Sequence, residues 1–528
     1  MIKTNVKLPL DYTSADIKER IAFSLPLSRD EIGDLTPVRR TLNIKDKSDI
    51  HYDMTVAFSL DKESEERLLR LRKKVSEYPD MTFTVPTSRM IERPVVVGAG
   101  PAGLFCALVL AEAGARPILY ERGLPVDKRD ERVRLFTELG ILDPECNIQY
   151  GEGGAGTYSD GKLKSGAPDK YKLKVLSEFV KYGAPEDVMY SSSAHVGTDK
   201  LPKVVRSVRE RITELGGEVC FETKLVEIKA QDGKIVGGRV EKNGVMSDFS
   251  ASDLIIATGH SAEDVFKILR SAGVPLEPRG FGIGMRIEHP REYIDTLVYG
   301  DTSGTDLGAA SYHLVTHLAN GRSVYSFCMC PGGTVAAAAS ERGGIVTNGM
   351  SEYARDGENS NAALLVSVTP EDFGNDPFMG IDLQRRIEHR AFALTSGTYR
   401  APAARLDSFM KGRSDAPFVS VKPSYPIGVE REDAEKYLPP FVTDSLRQGI
   451  LDFDDWMRGY MYPESVLTGP ETRTTSPIRV RRGEDFSSVT VSGLYPIGEG
   501  AGYSGGIVSS ARDGVMCAEA ILKKYAEI

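Results

Sequence analysis

Three glycines at fixed spacing carry the clearest chemistry in this sequence. Val95-Val96-Val97 breaks into Gly98-Ala99-Gly100-Pro101-Ala102-Gly103, an apolar helical stretch runs on to about Gly114, and a second short strand (Pro117 to Tyr120) ends in Glu121. Gly98 permits a tight strand-to-helix turn, Gly100 lets a pyrophosphate approach bare backbone, and Gly103 lets helix and strand pack closely. The helix start at Pro101 and Ala102 offers unpaired N–H groups and a positive dipole end to phosphates. Glu121, 18 residues beyond Gly103, suits an adenosine ribose and repels a 2′-phosphate, so FAD or NAD is expected over NADP.

Two later segments speak to the same ligand. The apolar strand of residues 251–260 ends in Ala257-Thr258-Gly259, where a glycine clears the dinucleotide. Near the C-terminus a short strand ends at Gly498-Glu499, and a Gly-rich loop with Gly505 and Gly506 leads into an apolar helix at Ile507. A strand-end acid suits a ribitol hydroxyl, and the helix start suits the electron-rich edge of a flavin. Two distant segments thus hold the two ends of one long cofactor, which selects FAD over NAD.

Other residues have chemical readings beside plain ones. Cys328 and Cys330 flank Met329 in a strand-like run; period two puts both sulfurs on one face, either as thiols facing a flavin or as small buried residues. Arg286 and Arg473 suit a carboxylate or carbonyl substrate, or salt bridges to the chain's many acids. His260, His289, His313 and His317 could donate protons near neutrality or serve structure. No HExxH pattern, CxxC pair or second Cys/His pair accompanies them, so neither a metal nor a disulfide-reductase dithiol is expected.

The elements that must position these residues suggest a mixed α/β chain. Its 528 residues allow three or four domains, and a 41% apolar, 27% charged composition is that of a globular protein. The expected division is a small α/β module over 1–90, a FAD-binding first segment over 91–273, an inserted α+β substrate domain over 274–474 and a FAD-binding C-terminal segment over 475–528. The two FAD segments would form one Rossmann-like three-layer domain. The N-terminal module holds no catalytic constellation and reads as a packing unit or a docking surface for a protein partner. A net charge of −9 and no basic–aromatic stripe argue against nucleic acid. No signal-like segment opens the sequence and no apolar stretch reaches the ~20 residues of a membrane span, so a cytoplasmic location is expected.

Several runs resemble a bacterial family of uncharacterised FAD-dependent dehydrogenases with a glutathione-reductase-type FAD fold. They are VVVGAGPAGLFCALVLAEAG, NIQYGEGGAGTYSDGKL (147–163), HVGTDKL (195–201), FGIGMRIEHP (281–290), SFCMCPGGTV (326–335), ETRTTSPIRV (471–480) and GEGAGYSGGI (498–507). The resemblance implies non-covalently bound FAD, a two-part flavin domain and an inserted substrate domain; it implies no substrate. By analogy with related flavin enzymes, the loop with Gly153, Gly154, Ala155, Gly156, Ser159, Asp160 and Gly161 lies along the pyrophosphate and isoalloxazine, with Lys162 near the flavin. Arg122 and Arg129 would add charge for the phosphates or stand as solvated surface residues. Glu499 takes the place of a usual Asp.

The expected activity is that of a FAD-dependent oxidoreductase exchanging a hydride between flavin N5 and a small organic substrate. No second GxGxxG in a strand–turn–helix setting marks a dedicated NAD(P)H domain, so the flavin would be reduced by the substrate, by transiently docked NAD(P)H or by another protein. A FAD-dependent RNA-modifying enzyme and a non-catalytic FAD-binding redox scaffold are the rivals.

Overall fold

The computed structural model describes residues 1–70, 74–163, 168–301 and 307–526. The β-branched run Val95–Val97 lies at the centre of a five-stranded parallel sheet. Across that sheet the order is Leu494–Pro496, Leu254–Ile256, Val95–Val97, Ile118–Tyr120 and Glu218–Cys220. Central strands of a parallel sheet are buried on both faces, which explains their uninterrupted apolar character. On one face pack the helices Pro101–Glu112, Leu201–Glu214 and Ile507–Ala526, sharing a core that includes Leu104, Val204 and Val515. On the other lies an antiparallel sheet of Thr223–Gln231, Lys234–Lys242 and Val245–Ser250, whose Leu225 and Ile235 pack with Leu254.

The segment EVCFETKLVEIKAQ reads as one strand, but the structure divides it. Glu222 takes a left-handed conformation (φ 56°), so Glu218–Cys220 completes the parallel sheet while Thr223–Gln231 turns into the antiparallel one. A single break lets adjacent residues serve two layers.

A second, seven-stranded sheet runs in the order Val315–His317, Ser323–Cys330, Asn359–Val368, Phe281–Pro290, Val466–Glu471, Ala401–Arg405 and Val429–Arg431. Helix Pro440–Trp456 covers it with Val442, Leu446, Ile450 and Phe453, all fully buried and spaced as one helical stripe.

The N-terminal residues build a four-stranded sheet, Leu35–Asn43, His51–Phe58, Ile2–Leu8 and Ser76–Glu77. Helix Ser14–Ser24 lays Ile17 and Ile21 on it. The sequence offers Ser14 with Asp16 as the cap of this helix, but Thr13 takes that place, because Thr13 and Asp16 form a reciprocal capping box. The charged stretch from Glu63 to about Glu77 reads as one helix, but the helix described is Lys62–Arg70, and Ser76 and Glu77 pair with Lys3 and Ile2 instead. This unit is fastened to the rest of the chain. The Arg40 N–H donates to the Tyr190 carbonyl (2.7 Å), Ser192 N–H donates back to Arg40 (2.8 Å), and Lys47 reaches the Leu297 carbonyl (3.1 Å). Among the described residues no helix is long and apolar enough to cross a membrane.

Candidate active site

The turn after Val97 has the close contacts its glycines imply. Gly98 sits at φ 102°, and a Cβ there would stand 2.4 Å from the Ala257 carbonyl oxygen. A Cβ on Gly103 would stand 1.8 Å from the Gly98 carbonyl oxygen, so this glycine packs the helix on the turn and does not line the crevice beyond it. That crevice, about 390 Å³, opens at the carboxyl ends of the parallel strands. Gly98, Gly100, Pro101 and Ala102 form its floor, with Ala257, Thr258 and Gly259 from the neighbouring strand end. Gly498, Glu499, Gly505, Gly506 and Ile507 close it from the C-terminal segment.

One end is organised by Glu121. Its buried carboxylate accepts from the N–H groups of Ala99 (2.8 Å), Gly123 (2.8 Å) and Gly151 (3.1 Å), tying turn, second strand and the 147–163 loop together. Arg122 also lines the crevice, but its guanidinium is held by Glu145 and, bidentately, by Asp264, and lies over the Tyr150 ring. It is neither a free phosphate ligand nor a solvated residue. Burial alone would raise the Asp264 carboxyl; Arg122 and Lys224 hold it below its ordinary range.

Arg129 departs further from both expectations. It is fully buried, off the crevice, and donates to the carbonyls of Asn147, Ile148, Glu152 and Gly154 at 2.8–2.9 Å. A planar cation with five N–H donors is suited to gathering the backbone oxygens of a turning loop. Gly153 likewise lies behind the crevice, where a Cβ would meet Thr157 Oγ1 at 2.0 Å.

At the other end Gly154, Ala155, Gly156, Ser159, Asp160, Gly161 and Lys162 face residues of the seven-stranded sheet. Asp160, 1% exposed, accepts two bonds from Arg355 and one each from Lys162 and Ser351. Burial opposes its ionisation, yet Lys162 and Arg355 hold its carboxyl well below the usual range. Lys162 also reaches the Met329 carbonyl, fixing its ammonium at the crevice wall.

The two cysteines do not share a face. Between Phe327 and Cys330 the strand carries one more residue than its partner, and Cys328 sits in this bulge at φ 46°. Cys328 and Phe327 therefore line the crevice while Cys330 is fully buried, its thiol pushed up to about 12 by burial. Burial raises the Cys328 thiol too, against the pull of Lys162 and Arg286.

Arg286 and Arg473 take the plainer of their two readings. Arg286 is wholly buried, off the crevice, and paired bidentately with Glu471 (2.7 and 2.6 Å). Arg473 lines the crevice, but Glu388 (2.8 Å, twice) and Glu341 (3.1 Å) hold its guanidinium. His260 lines the crevice with a pKa lowered to about 4 by burial and by Arg473, so its imidazole is neutral at pH 7. Burial raises the Glu499 carboxyl to about 7, partly offset by Arg279.

Several lining residues have no signal in the sequence. Gln149, Tyr150, Thr223, Lys224 and Leu225 surround the Glu121 end, and Asn348, Glu471 and Thr474 the Lys162 end. Only the fold brings them to one crevice, though the quoted run 147–163 contains Gln149 and Tyr150 and the run 471–480 contains Glu471 and Thr474.

Residues 280–474 match the family described as "FAD-dependent protein, C-terminal domain-like". A Clostridium beijerinckii protein described as uncharacterised is 43% identical over 528 residues, covering 99% of this chain and 98% of its own. The chain belongs to that protein's family. Its cofactor is FAD, and it is a flavoprotein. The residues present fit that cofactor: Gly259 and Gly505, both lining the crevice, face open space where a side chain would otherwise stand. Two solved structures have a distant likeness. The Rhodococcus jostii RHA1 3-ketosteroid-Δ4-(5α)-dehydrogenase is 12% identical, covering 84% of this chain and all of its own, TM-score 0.36. The E. coli quinol fumarate reductase FrdA is 13% identical, covering 85% of this chain and 71% of its own, TM-score 0.37.

Proposed function

We propose that this chain is a FAD-dependent oxidoreductase acting on a small organic substrate held between the five-stranded and seven-stranded sheets. Residues 91–273 and 475–528 form its FAD-binding domain, and 274–474 its substrate domain. The carrying observation is the two-sided crevice: glycine turns of a dinucleotide-binding sheet on one side, and Phe327, Cys328, Asn348 and Thr474 of the second sheet on the other. Bound FAD supplies hydride transfer there.

The chain's own residues hold and exclude. Gly100 and Ala102 present backbone to the pyrophosphate, and Glu121 and Glu499 take ribose and ribitol hydroxyls. Lys162, anchored by Asp160 and the Met329 carbonyl, fixes a positive charge at the flavin end. Phe327 and Cys328 give the substrate an apolar contact, and Asn348 and Thr474 offer neutral hydrogen-bonding groups. The Glu499 carboxyl, titrating near neutrality, can exchange a proton with a bound molecule. With Arg286 and Arg473 both paired to carboxylates, these two arginines do not select an anionic substrate.

The test is the absorbance spectrum of FAD-loaded protein during anaerobic titration with NADH, NADPH and then small organic hydride donors. Bands at about 450 nm that bleach with one of them establish the oxidoreductase. Bands that survive every donor, in protein that retains FAD, overturn catalysis and leave the redox scaffold.

A further inference from the structure

We infer that Arg279 and Arg479, at the edge of the crevice, form a docking contact for the phosphates of a nicotinamide dinucleotide that reduces the flavin, an inference that rests on the FAD reading above. Both stand on a two-stranded antiparallel ribbon, Leu276–Pro278 with Ile478–Val480, in which Glu277 lies opposite Arg479. Arg279 continues the pairing, its N–H donating to the Pro477 carbonyl (2.8 Å). Two residues on from Glu277, it presents its side chain on the same face, diagonal to Arg479. The ribbon flanks the crevice without lining it. The Arg279 guanidinium donates to Thr475 Oγ1 (2.9 Å), next to crevice-lining Thr474. Arg479 donates to the Gly502 carbonyl (3.4 Å), in the loop that follows crevice-lining Glu499.

Missing counter-charge sets this pair apart. Among the described residues neither guanidinium forms an ion pair, whereas the next two arginines do, Arg481 with Glu277 (3.4 Å) and Arg482 with Asp513 (2.7 Å). The acid opposite Arg479 is therefore already engaged. Burial and the Arg479 charge lower the Arg279 guanidinium, against the pull of Glu499. Two like charges on one face are relieved by a bound anion, and guanidinium N–H groups match phosphate oxygens in pairs. Tyr503, 40% exposed beside Arg479 and Arg482, adds a ring against which a flat base can lie. The sequence holds no second dinucleotide turn in a strand–turn–helix setting, so a nicotinamide donor must be held by its phosphates from outside the crevice. Its C–H bond breaks, the hydride's two electrons and hydrogen nucleus pass to flavin N5, and the nicotinamide leaves oxidised. The two arginines supply the hold and none of that chemistry.

The test titrates FAD-loaded protein calorimetrically with ADP-ribose and with 2′-phospho-ADP-ribose, unreactive pieces of the two nicotinamide dinucleotides. It compares the wild type, Arg279→Gln, Arg479→Gln and Arg458→Gln, the last an exposed arginine elsewhere, with FAD content and a melting curve for each. Arg279→Gln and Arg479→Gln should each weaken binding about 10-fold, the worth of one charge-assisted hydrogen bond, with FAD content and melting unchanged. Loss for both ligands assigns the pyrophosphate, and loss for 2′-phospho-ADP-ribose alone assigns the 2′-phosphate; each supports the docking contact. Unchanged affinity in both yellow variants, an equal loss in Arg458→Gln, or a FAD-loaded wild type that binds neither ligand overturns it. An Arg279→Gln or Arg479→Gln protein that purifies without FAD also overturns it and gives the arginines to the resident cofactor. A wild type that cannot be loaded with FAD overturns the FAD reading itself, and the docking contact with it.

Discussion

Arg286 and Glu471 meet across adjacent strands of the seven-stranded sheet, guanidinium to carboxylate at 2.7 and 2.6 Å, both buried. The same guanidinium donates to the Cys328 carbonyl at 3.0 Å and to Asn361 at 2.9 Å. One buried cation therefore holds Glu471 at the crevice and the bulge that turns Cys328 into it. Arg286→Met strands a buried carboxylate and should cost about 3–5 kcal/mol in urea unfolding at pH 7. Adding Glu471→Met should restore most of that loss; a double variant no more stable than the single would show that the pair is not the unit.

Gly100 and Gly103 should fail differently. A Cβ on Gly100 meets only the Gly154 Cα, at 3.9 Å, and otherwise projects toward the cofactor. Gly100→Val should purify folded by far-ultraviolet circular dichroism and colourless. Gly103→Ala drives a Cβ into backbone and should lower stability by about 1–3 kcal/mol. A Gly100→Val protein that purifies fully yellow would refute the assignment of the crevice.

Glu152 predicts a pH dependence. It is fully buried; Val126 N–H donates to one oxygen and the other has no hydrogen-bond partner, with Arg209 at 3.4 Å. Burial raises its carboxyl to about 7, against the pull of Val126 and Arg209. The folded state then holds this proton more tightly than the unfolded state. Stability should fall as pH rises from about 4.5 to 7, by about 3 kcal/mol, and this contribution should level off above. Glu152→Gln should flatten that part of the curve, read from urea midpoints at pH 5 and 8.

Cys328 and Cys220 are both partly exposed, but only Cys328 lines the crevice. Iodoacetamide at alkaline pH should alkylate both in apo-protein, and FAD should slow Cys328 severalfold while sparing Cys220. Mass spectrometry of the two peptides reads this directly. Equal rates at Cys328 with and without FAD would place the cofactor elsewhere.

The dinucleotide turn was legible because two of its glycines are required by close contacts between neighbouring elements, Gly103 against Gly98 and Gly98 against Ala257, while Gly100 keeps the crevice floor bare. Periodicity over many residues predicts helices over 379–394 and 431–458; they stand at Met379–Leu394 and Pro440–Trp456, the first residues of the second stretch forming a short turn instead. What could not be read was partnership across long separations. Nothing local distinguishes an arginine free for substrate from Arg286, whose acid is 185 residues away, or Arg473, whose acid is 85 away. Nor does alternation disclose the bulge at Cys328, which depends on register with the strand Asn359–Val368. Arg129 was the clearest departure, since burial of a lone guanidinium among carbonyls depends on how the loop closes.

Among the described residues the strand Leu494–Pro496 pairs only with Leu254–Ile256, more than two hundred residues earlier, and the crevice wall continues through Ser510. On the ribosome, the first half of the sheet emerges long before its edge and before the crevice has its last wall. A chain interrupted short of Glu499 would present the glycine turn without the wall that Glu499, Ile507 and Ser510 supply.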